Sequence, residues 1–268
     1  MSGFKTIFDY QAMIGLTMHL GGVPATRELV KLCQVLPGFN VLDVGSGAGR
    51  TPVLLAKEYG VHVIGVDLHP GMVSVATRLI RQEKLEGQVR FRQADVVALP
   101  FEENTFDAVI AESVLAFVPD KQRAVSEFLR VVKPGGYVGI NEATYLQPDP
   151  PQEICEWASN DFGLAAKPLQ SQQWEALLKH AGLCALALRL FPLSLRKQTT
   201  QTLRRYGVRG MAQTWSRSLG LYLQHPEARQ IMRVGSEGYP SGLMDYLGYG
   251  LYVGRKPDAK PKWRMMSR

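Results

Sequence analysis

Three alternating glycines, Gly45, Gly47 and Gly49, follow the apolar run Val41–Val44 in NVLDVGSGAGR. Glycine permits positive φ and carries no side chain to hold a ligand off the backbone, so this turn admits close approach by a nucleotide-bearing molecule. Asp43 interrupts the apolar run where an unpaired carboxylate is costly to bury, and it demands backbone N–H groups or a cationic ligand. Asp67 stands eighteen residues beyond Gly49, at the end of VIGVD, where a carboxylate can accept both hydroxyls of a ribose. A dinucleotide turn of the form G-x-G-x-x-G needs a small residue at position 50, and this chain has Arg50. A pyrophosphate would bring negative charge toward Asp43, so electrostatics favours a ligand with positive charge there.

The elements that must carry these residues follow from periodicity. Val41–Val44, Val61–Val66, Val89–Arg92, Ala108–Ala111 and Tyr137–Asn141 are short β-branched runs, and Thr51–Tyr59, Gly71–Lys84 and Lys121–Val131 have helical spacing between them. Alternating strands and helices predict a parallel sheet covered on both faces. Phe4–Met18, closed by Gly21-Gly22, and Thr26–Leu36 read as two helices ahead of the first strand. Beyond Pro148, Ile154–Phe162, Gln170–Ala181, Gln198–Leu223 and Glu227–Ser236 read as helices, and Leu183–Phe191 and Tyr246–Val253 as strands. If those two strands pair, about fifty residues interrupt one hairpin, and an insertion that long inside a domain is usually functional. Lys133–Gly136 reads as a turn and Asp107 as a turn or strand-start residue. Asp95 ends the third strand in QADVVALPF, where it could receive an adenine amine, with Leu68 and Val96 as apolar walls for the ring.

VLDVGSGAGR, GVDLHPGM, QADVVALPF, FDAVIAESVLAFVPD and VVKPGGYVGINE, in that order and spacing, resemble the class I S-adenosylmethionine-dependent methyltransferases, of the small-molecule, type 11-like kind. The resemblance covers roughly Leu36 to Glu142 and returns at YLGYGLYVGRKP. It implies a Rossmann-like, doubly wound α/β fold with a seven-stranded sheet, mostly parallel with the last strand antiparallel, and a helical cap inserted before that strand. The implied divisions are 1–36 for N-terminal helices that join the cap, 37–191 for the cofactor-binding core, 192–243 for the cap insertion, 244–256 for the final strand and 257–268 for a basic tail. The implied cofactor is S-adenosyl-L-methionine. Gly45, Ser46, Gly47 and Gly49 would lie against its amino-acid and ribose portions. Asp43 would hold the ammonium end, Asp67 the ribose, Asp95, Val96 and Leu68 the adenine, and Glu112 would lie near the methionine moiety. The chain departs from many relatives at Ala116, where they carry a histidine, so that histidine's role has no counterpart here. Structural alternatives stand beside these roles: a helix cap for Asp67, and a plain strand-to-helix turn for the glycines.

Methyl transfer from a sulfonium is an in-line displacement with a good leaving group, so the protein must align the acceptor and exclude water. A base is needed only when the acceptor must lose a proton. The donor half of the site therefore leaves the acceptor atom open among oxygen, nitrogen, carbon and sulfur. In the implied topology, residues 143–168 and 192–243 emerge on the ligand face. Glu142 is then the candidate base, because it directly follows the fifth strand, with an arginine-paired loop carboxylate as the alternative. Tyr10, His19 and Tyr145 are candidate acceptor contacts, joined by Tyr206, Trp215 and Tyr222 of the cap, while His19 could instead serve the C-terminal end of a helix.

The net charge of +7 is unevenly placed: residues 176–226 hold eight Lys or Arg and no Asp or Glu. Arg204, Arg205, Arg209 and Arg217 alternate with Leu203, Tyr206, Trp215, Leu219 and Tyr222, which suggests a basic amphipathic surface for an anionic or lipidic substrate or for peripheral contact with an anionic membrane. A solvated basic face over a packed apolar one is the plainer alternative. The chain opens without a signal-peptide pattern, and its longest apolar stretch, Leu183–Leu195, is too short for the ~20 residues of a membrane span, so a cytoplasmic protein is expected. Cys33, Cys155 and Cys184 lack metal-ligand spacing and are expected to be buried, reduced thiols. The leading function is methyl transfer to a small, largely apolar or anionic molecule. A nicotinamide-dependent oxidoreductase is the alternative from another class, and a nucleic-acid partner is disfavoured because only charge suggests it. The sequence leaves the oligomeric state open.

Overall fold

Parallel pairing organises the first half of the chain. The structure, a computed structural model, describes residues 6–160, 166–234 and 239–259. The strands β1 (Asn40–Val44), β2 (His62–Asp67), β3 (Val89–Gln93), β4 (Phe106–Glu112) and β5 (Val132–Tyr145) alternate with α3 (Arg50–Tyr59), α4 (Pro70–Gln82) and α5 (Lys121–Val131), behind α1 (Ile7–Ile14) and α2 (Gly22–Leu32). Then follow α6 (Gln152–Asn160), β6 (Leu169–Gln170), α7 (Ser171–Ala181), β7 (Cys184–Pro192), α8 (Leu195–Gln224), α9 (Pro226–Val234), α10 (Leu243–Tyr246) and β8 (Leu247–Arg255). The sheet order is β3-β2-β1-β4-β5-β8-β7, with β6 adding two residues beside β5. β8 runs antiparallel between β5 and β7, and β1 to β5 are parallel. This is the expected doubly wound sheet with its last strand antiparallel.

The chain winds outward through β2 and β3 and returns to the other side of β1 at β4. That reversal leaves a crevice at the carboxyl ends of β1 and β4, where ligands bind in open α/β sheets. β1 lies in register with both neighbours there, Asp43 opposite Gly65 and Ile110.

Side chains of successive strand residues point to opposite faces. Leu42, Val44, Val109 and Ala111 pack on one face with Phe128 and Trp174, while Val41, Ala108 and Ile110 pack on the other with Leu29 and Leu55. Each fully buried large side chain contributes ~1.5–3 kcal/mol, so the sheet anchors the site rigidly.

Several boundaries differ from the sequence reading. α1 ends at Gly15 in the left-handed conformation instead of running to Met18, and α2 begins at Gly22 instead of Thr26. Lys133–Gly136 belongs to β5 as an irregular stretch, with the β4 register slipping between Phe106 and Ala108. There Asp107 is structural: one carboxylate oxygen accepts the Asn40 N–H at 2.8 Å, and the other meets Lys133 Nζ at 2.6 Å. All three cysteines are free thiols, but only Cys33 is buried and Cys184 is exposed. Among the described residues no helix is long and apolar enough to cross a membrane and no group of side chains could hold a metal ion. Residues 260–268 of the expected basic tail lie outside the described residues.

The cap insertion is built mainly from α8, whose helical backbone breaks at Gly207 (φ 68°, ψ 170°). It is tied to the N-terminal segment: Tyr206 Oη accepts the Thr17 N–H at 2.8 Å and donates to the Thr17 carbonyl at 2.7 Å. Tyr10 Oη donates to Ser218 Oγ at 3.0 Å, and Arg50 stacks over the Tyr206 ring at 4.9 Å. Arg50 thus spends its length on the cap, and no small residue is needed at that position because Gly49 makes the close contact.

Candidate functional site

A cavity of about 710 Å³ opens at the carboxyl ends of β1, β2 and β4, within the size range of small-molecule sites. The glycine turn forms its floor. Gly45 has φ +67°, and a Cβ there would lie 2.2 Å from Val114 Cγ2, so no other residue fits. Ser46 fixes the turn by donating its hydroxyl to the Asp43 carbonyl at 2.9 Å and its N–H to the Val66 carbonyl at 2.9 Å. Gly49 does not line the cavity. The space its Cβ would take is filled by Ala76 and Phe91, so it packs α3 onto its neighbours instead of meeting a ligand.

Asp43 is buried beneath the turn, and its Oδ2 has no hydrogen-bond partner in the protein. Burial pushes its carboxyl up to about 8, while the nearby Arg205 pulls the other way. Asp67 lines the cavity one strand away, where Oδ2 accepts the Gly47 N–H and Oδ1 the His69 N–H, both at 2.9 Å. Burial raises its carboxyl and these two donors lower it. A carboxylate oxygen has room for a further donor beyond one N–H, so both remain acceptors for ligand hydroxyls. His69, which carries no sequence motif, is the residue that caps α4, with Nδ1 accepting the Gly71 and Met72 N–H groups. Asp95 and Val96 line the same cavity, Asp95 Oδ1 accepting the Val97 N–H at 3.1 Å, and Leu68 sits exposed at its rim.

Glu112 and His19 meet across the cavity in a buried network that the sequence did not disclose. Arg205 donates to His19 Nδ1 at 2.8 Å. Arginine can only donate, so Nδ1 is the acceptor and Nε2 carries the hydrogen in a neutral ring. Nε2 then donates to Thr26 Oγ1 at 3.0 Å, and Thr26 donates on to Glu112 at 3.0 Å. Thr51 Oγ1 and Asn141 Nδ2 also donate to Glu112, at 3.1 and 3.4 Å. Burial holds the His19 imidazole below its ordinary value, in keeping with the neutral form. His19 therefore faces the cavity from the segment between α1 and α2 and does not serve a helix end.

Three sequence candidates lie elsewhere. Glu142 is wholly buried and its carboxylate accepts the N–H groups of Val114, Leu115 and Ala116 at 2.9, 2.7 and 3.2 Å. It clamps the short 3₁₀ turn Leu115–Phe117 and does not line the cavity that the expected base role would require. Burial pushes its carboxyl up to about 7 against the pull of those donors. Tyr10 is buried against Ile14 and Leu221, and Tyr145 packs beside Ile154 and Trp157; neither lines the cavity. In the cap, Trp215 and Tyr222 are exposed and also lie outside the lining. The cavity is walled on one side by the apolar residues Phe8, Met18, Val114 and Phe117, with Phe8 and Phe117 edge to face at 5.8 Å.

Sheet order, glycine turn and paired acidic strand ends together define a nucleoside-binding α/β domain of the Rossmann-like class. Residues 42–140 match the family described as a methyltransferase domain. An uncharacterized protein of Haemophilus influenzae is 30% identical over 177 residues, which cover 65% of this chain and 70% of that protein. The phosphoethanolamine N-methyltransferase of Triticum aestivum is 34% identical over 152 residues, 56% of this chain but only 30% of that protein's length. Among solved structures, the [4+2]-cyclase SpnF superposes with a TM-score of 0.75 at 20% identity, covering 97% of this chain and 100% of that one. Phosphoethanolamine N-methyltransferase 2 of Haemonchus contortus, in complex with S-adenosyl-L-methionine, gives 0.68 at 21% identity over 94% of this chain and 57% of that one. Residues 42–140 are thus a methyltransferase domain, on the fold of the class I S-adenosylmethionine-dependent methyltransferases. S-adenosylmethionine is the cofactor of that family, and the unpartnered Asp43 Oδ2 beside a side-chain-free turn fits a cationic ligand of this kind.

Proposed function

We propose that the protein transfers a methyl group from S-adenosylmethionine to a small, largely apolar or anionic acceptor held between the glycine turn and the cap. The observation that carries this reading is the buried Asp43 carboxylate, with Oδ2 lacking a partner, at the floor of an apolar-walled cavity. Asp43 with Gly45, Ser46 and Gly47 would hold the methionine end, Asp67 the ribose, Asp95, Val96 and Leu68 the adenine, and Glu112 would lie near the methionine moiety. When bound, the cofactor supplies an activated methyl on a sulfonium that needs no protonation to leave. Phe8, Met18 and Phe117 would exclude water from the acceptor, and Arg205 with His19 would meet an anionic group on it. Glu142 is committed to three backbone donors and the His19 Nδ1 lone pair to Arg205, so His19 would take a proton from an acceptor only after Arg205 turns from Nδ1 to an anionic group of that acceptor.

Titration calorimetry with S-adenosylmethionine, S-adenosylhomocysteine and NADH tests the donor. Binding of the adenosyl ligands without NADH is expected, and tight NADH binding with neither adenosyl ligand would overturn the reading. Because one fold supports unrelated chemistries, and the neighbour SpnF is a [4+2]-cyclase, transfer itself is read by S-adenosylhomocysteine release across a panel of small metabolites. An Asp67→Ala protein is expected to bind S-adenosylmethionine about 5–150-fold more weakly, the ~1–3 kcal/mol of hydrogen bonds to a charged group. Unchanged affinity would remove Asp67 from the site.

A further inference from the structure

α8 is apolar on two opposite sides. Its inner side is buried: Tyr206, Thr214 and Leu221 face the N-terminal segment, where Leu221 packs against Tyr10 and Ile14. Beyond the break at Gly207, the opposite side presents Val208, Trp215, Leu219 and Tyr222, spaced seven, four and three residues apart, the period of one helix face. They are 79%, 73%, 60% and 42% exposed, and Leu223 beside them is 65% exposed. A helix that only roofed the cavity would carry polar residues on that side. A contiguous apolar stripe on a folded protein instead marks a contact surface.

Charge says what covers it. Arg204 and Arg209 are exposed on the same helix and Arg229 of α9 lies over the Tyr222 ring, while Arg217 donates inward to the Ile14 carbonyl; the next acidic residues along the chain are Glu175 and Glu227, outside α8 at both ends. Pairing of this face with a second copy would set arginines near their own counterparts without acids from α8 to meet them, which disfavours self-association. Trp and Tyr rings with arginines at their margin suit the boundary of a phospholipid leaflet, and the arginines suit anionic headgroups. We propose that the outer face of α8 from Val208 to Leu223 docks the protein on an anionic phospholipid surface. The docking lies on the far side of the helix from Arg205 and Tyr206, so the cap can rest on lipid while its inner side keeps its contacts with the cavity and the N-terminal segment.

The test is co-sedimentation of the whole chain with vesicles of phosphatidylcholine alone and of phosphatidylcholine mixed with phosphatidylglycerol, at low and high salt. Recovery with the anionic vesicles is expected to exceed recovery with the neutral ones at least about tenfold at low salt and to fall at high salt. Trp215→Ser with Leu219→Ser, and separately Arg204→Gln with Arg209→Gln, are each expected to reduce anionic binding by about tenfold or more while melting temperature and S-adenosylmethionine affinity stay unchanged. Brominated anionic lipids are expected to quench wild-type tryptophan emission and to lose most of that effect in Trp215→Ser, a readout that works even if a double variant folds poorly. Equal recovery with neutral vesicles, no recovery with either, or anionic binding unaltered by both variants would overturn the proposal. So would a concentration-dependent dimer that Leu219→Ser dissociates, because the face would then be an interface between copies.

Discussion

An Asp43→Asn protein is expected to bind S-adenosylmethionine about 30–1000-fold more weakly than the wild type, a loss of ~2–4 kcal/mol for breaking a buried charge pair, and yet to melt at a higher temperature. The two effects share one cause. In the free protein the Asp43 carboxylate is buried with Oδ2 unpartnered, so its ionised form has lost water without gaining a full set of donors. The sign of the stability term follows from the direction of the shift. The folded value is raised to about 8 from 3.8, so the folded protein keeps a proton that the unfolded chain releases. Stability from this group therefore falls as pH rises from near 4 to about 8 and is constant above that, and at pH 7 the raised value costs ~4 kcal/mol. Asparagine is neutral throughout and escapes that cost. Calorimetric melting is expected to show a larger gain for Asp43→Asn at pH 7.5 than at pH 5. A positively charged ligand lowers the carboxyl again, so wild-type affinity is expected to rise between pH 6 and 7.5 as binding releases a proton, and the Asp43→Asn profile to be flatter. Equal affinities of the two proteins would refute the assignment of Asp43 to the cationic end of the cofactor.

Glu142→Ala is expected to lower stability by ~3–5 kcal/mol, the scale for removing one partner of a buried, charged cluster. Three N–H groups, of Val114, Leu115 and Ala116, would lose their acceptor, and the buried Leu115–Phe117 turn that helps wall the cavity would lose its clamp. Glu142→Gln keeps one acceptor oxygen and is expected to lose less. A general base would behave differently, with a large fall in turnover at little cost in melting temperature. Chemical denaturation of the three proteins separates the two roles. The folded value of Glu142 is raised to about 7 from 4.5, so its own contribution declines as pH rises between those values, and Glu142→Gln is expected to lack that slope. Melting curves for Glu142→Ala that overlay the wild type would return Glu142 to the list of catalytic candidates.

The cavity wall formed by the glycine turn and the strand ends was legible because it is local. A strand, a turn and a helix start lie within one short stretch, and the sheet then delivers the ends of β1, β2, β3 and β4 to one edge in chain order. Asp43, Gly45, Ser46, Gly47, Asp67, Leu68, Asp95, Val96 and Glu112 accordingly all reach the cavity. Gly49 is the exception, because its Cβ space is governed by Ala76 and Phe91 on other elements. The rest of the cavity wall was poorly legible for the opposite reason. Whether Glu142 or Tyr145 points into the cavity depends on which face of β5 each occupies and on what the neighbouring loop requires of it, and Glu142 was taken by the backbone of the turn after β4. Arg205 reaches His19 and Thr51 across 186 and 154 residues of chain, a meeting that no local spacing announces.

By itself the sequence determined the doubly wound sheet and the position of the glycine turn, because both follow from short-range periodicity and local turn chemistry. Only the tertiary structure decided which cap residues face inward. It turned Arg205 and Tyr206 toward the cavity and N-terminal segment and left Trp215, Leu219 and Tyr222 outside, because one face of a helix is chosen by what packs against it and not by composition.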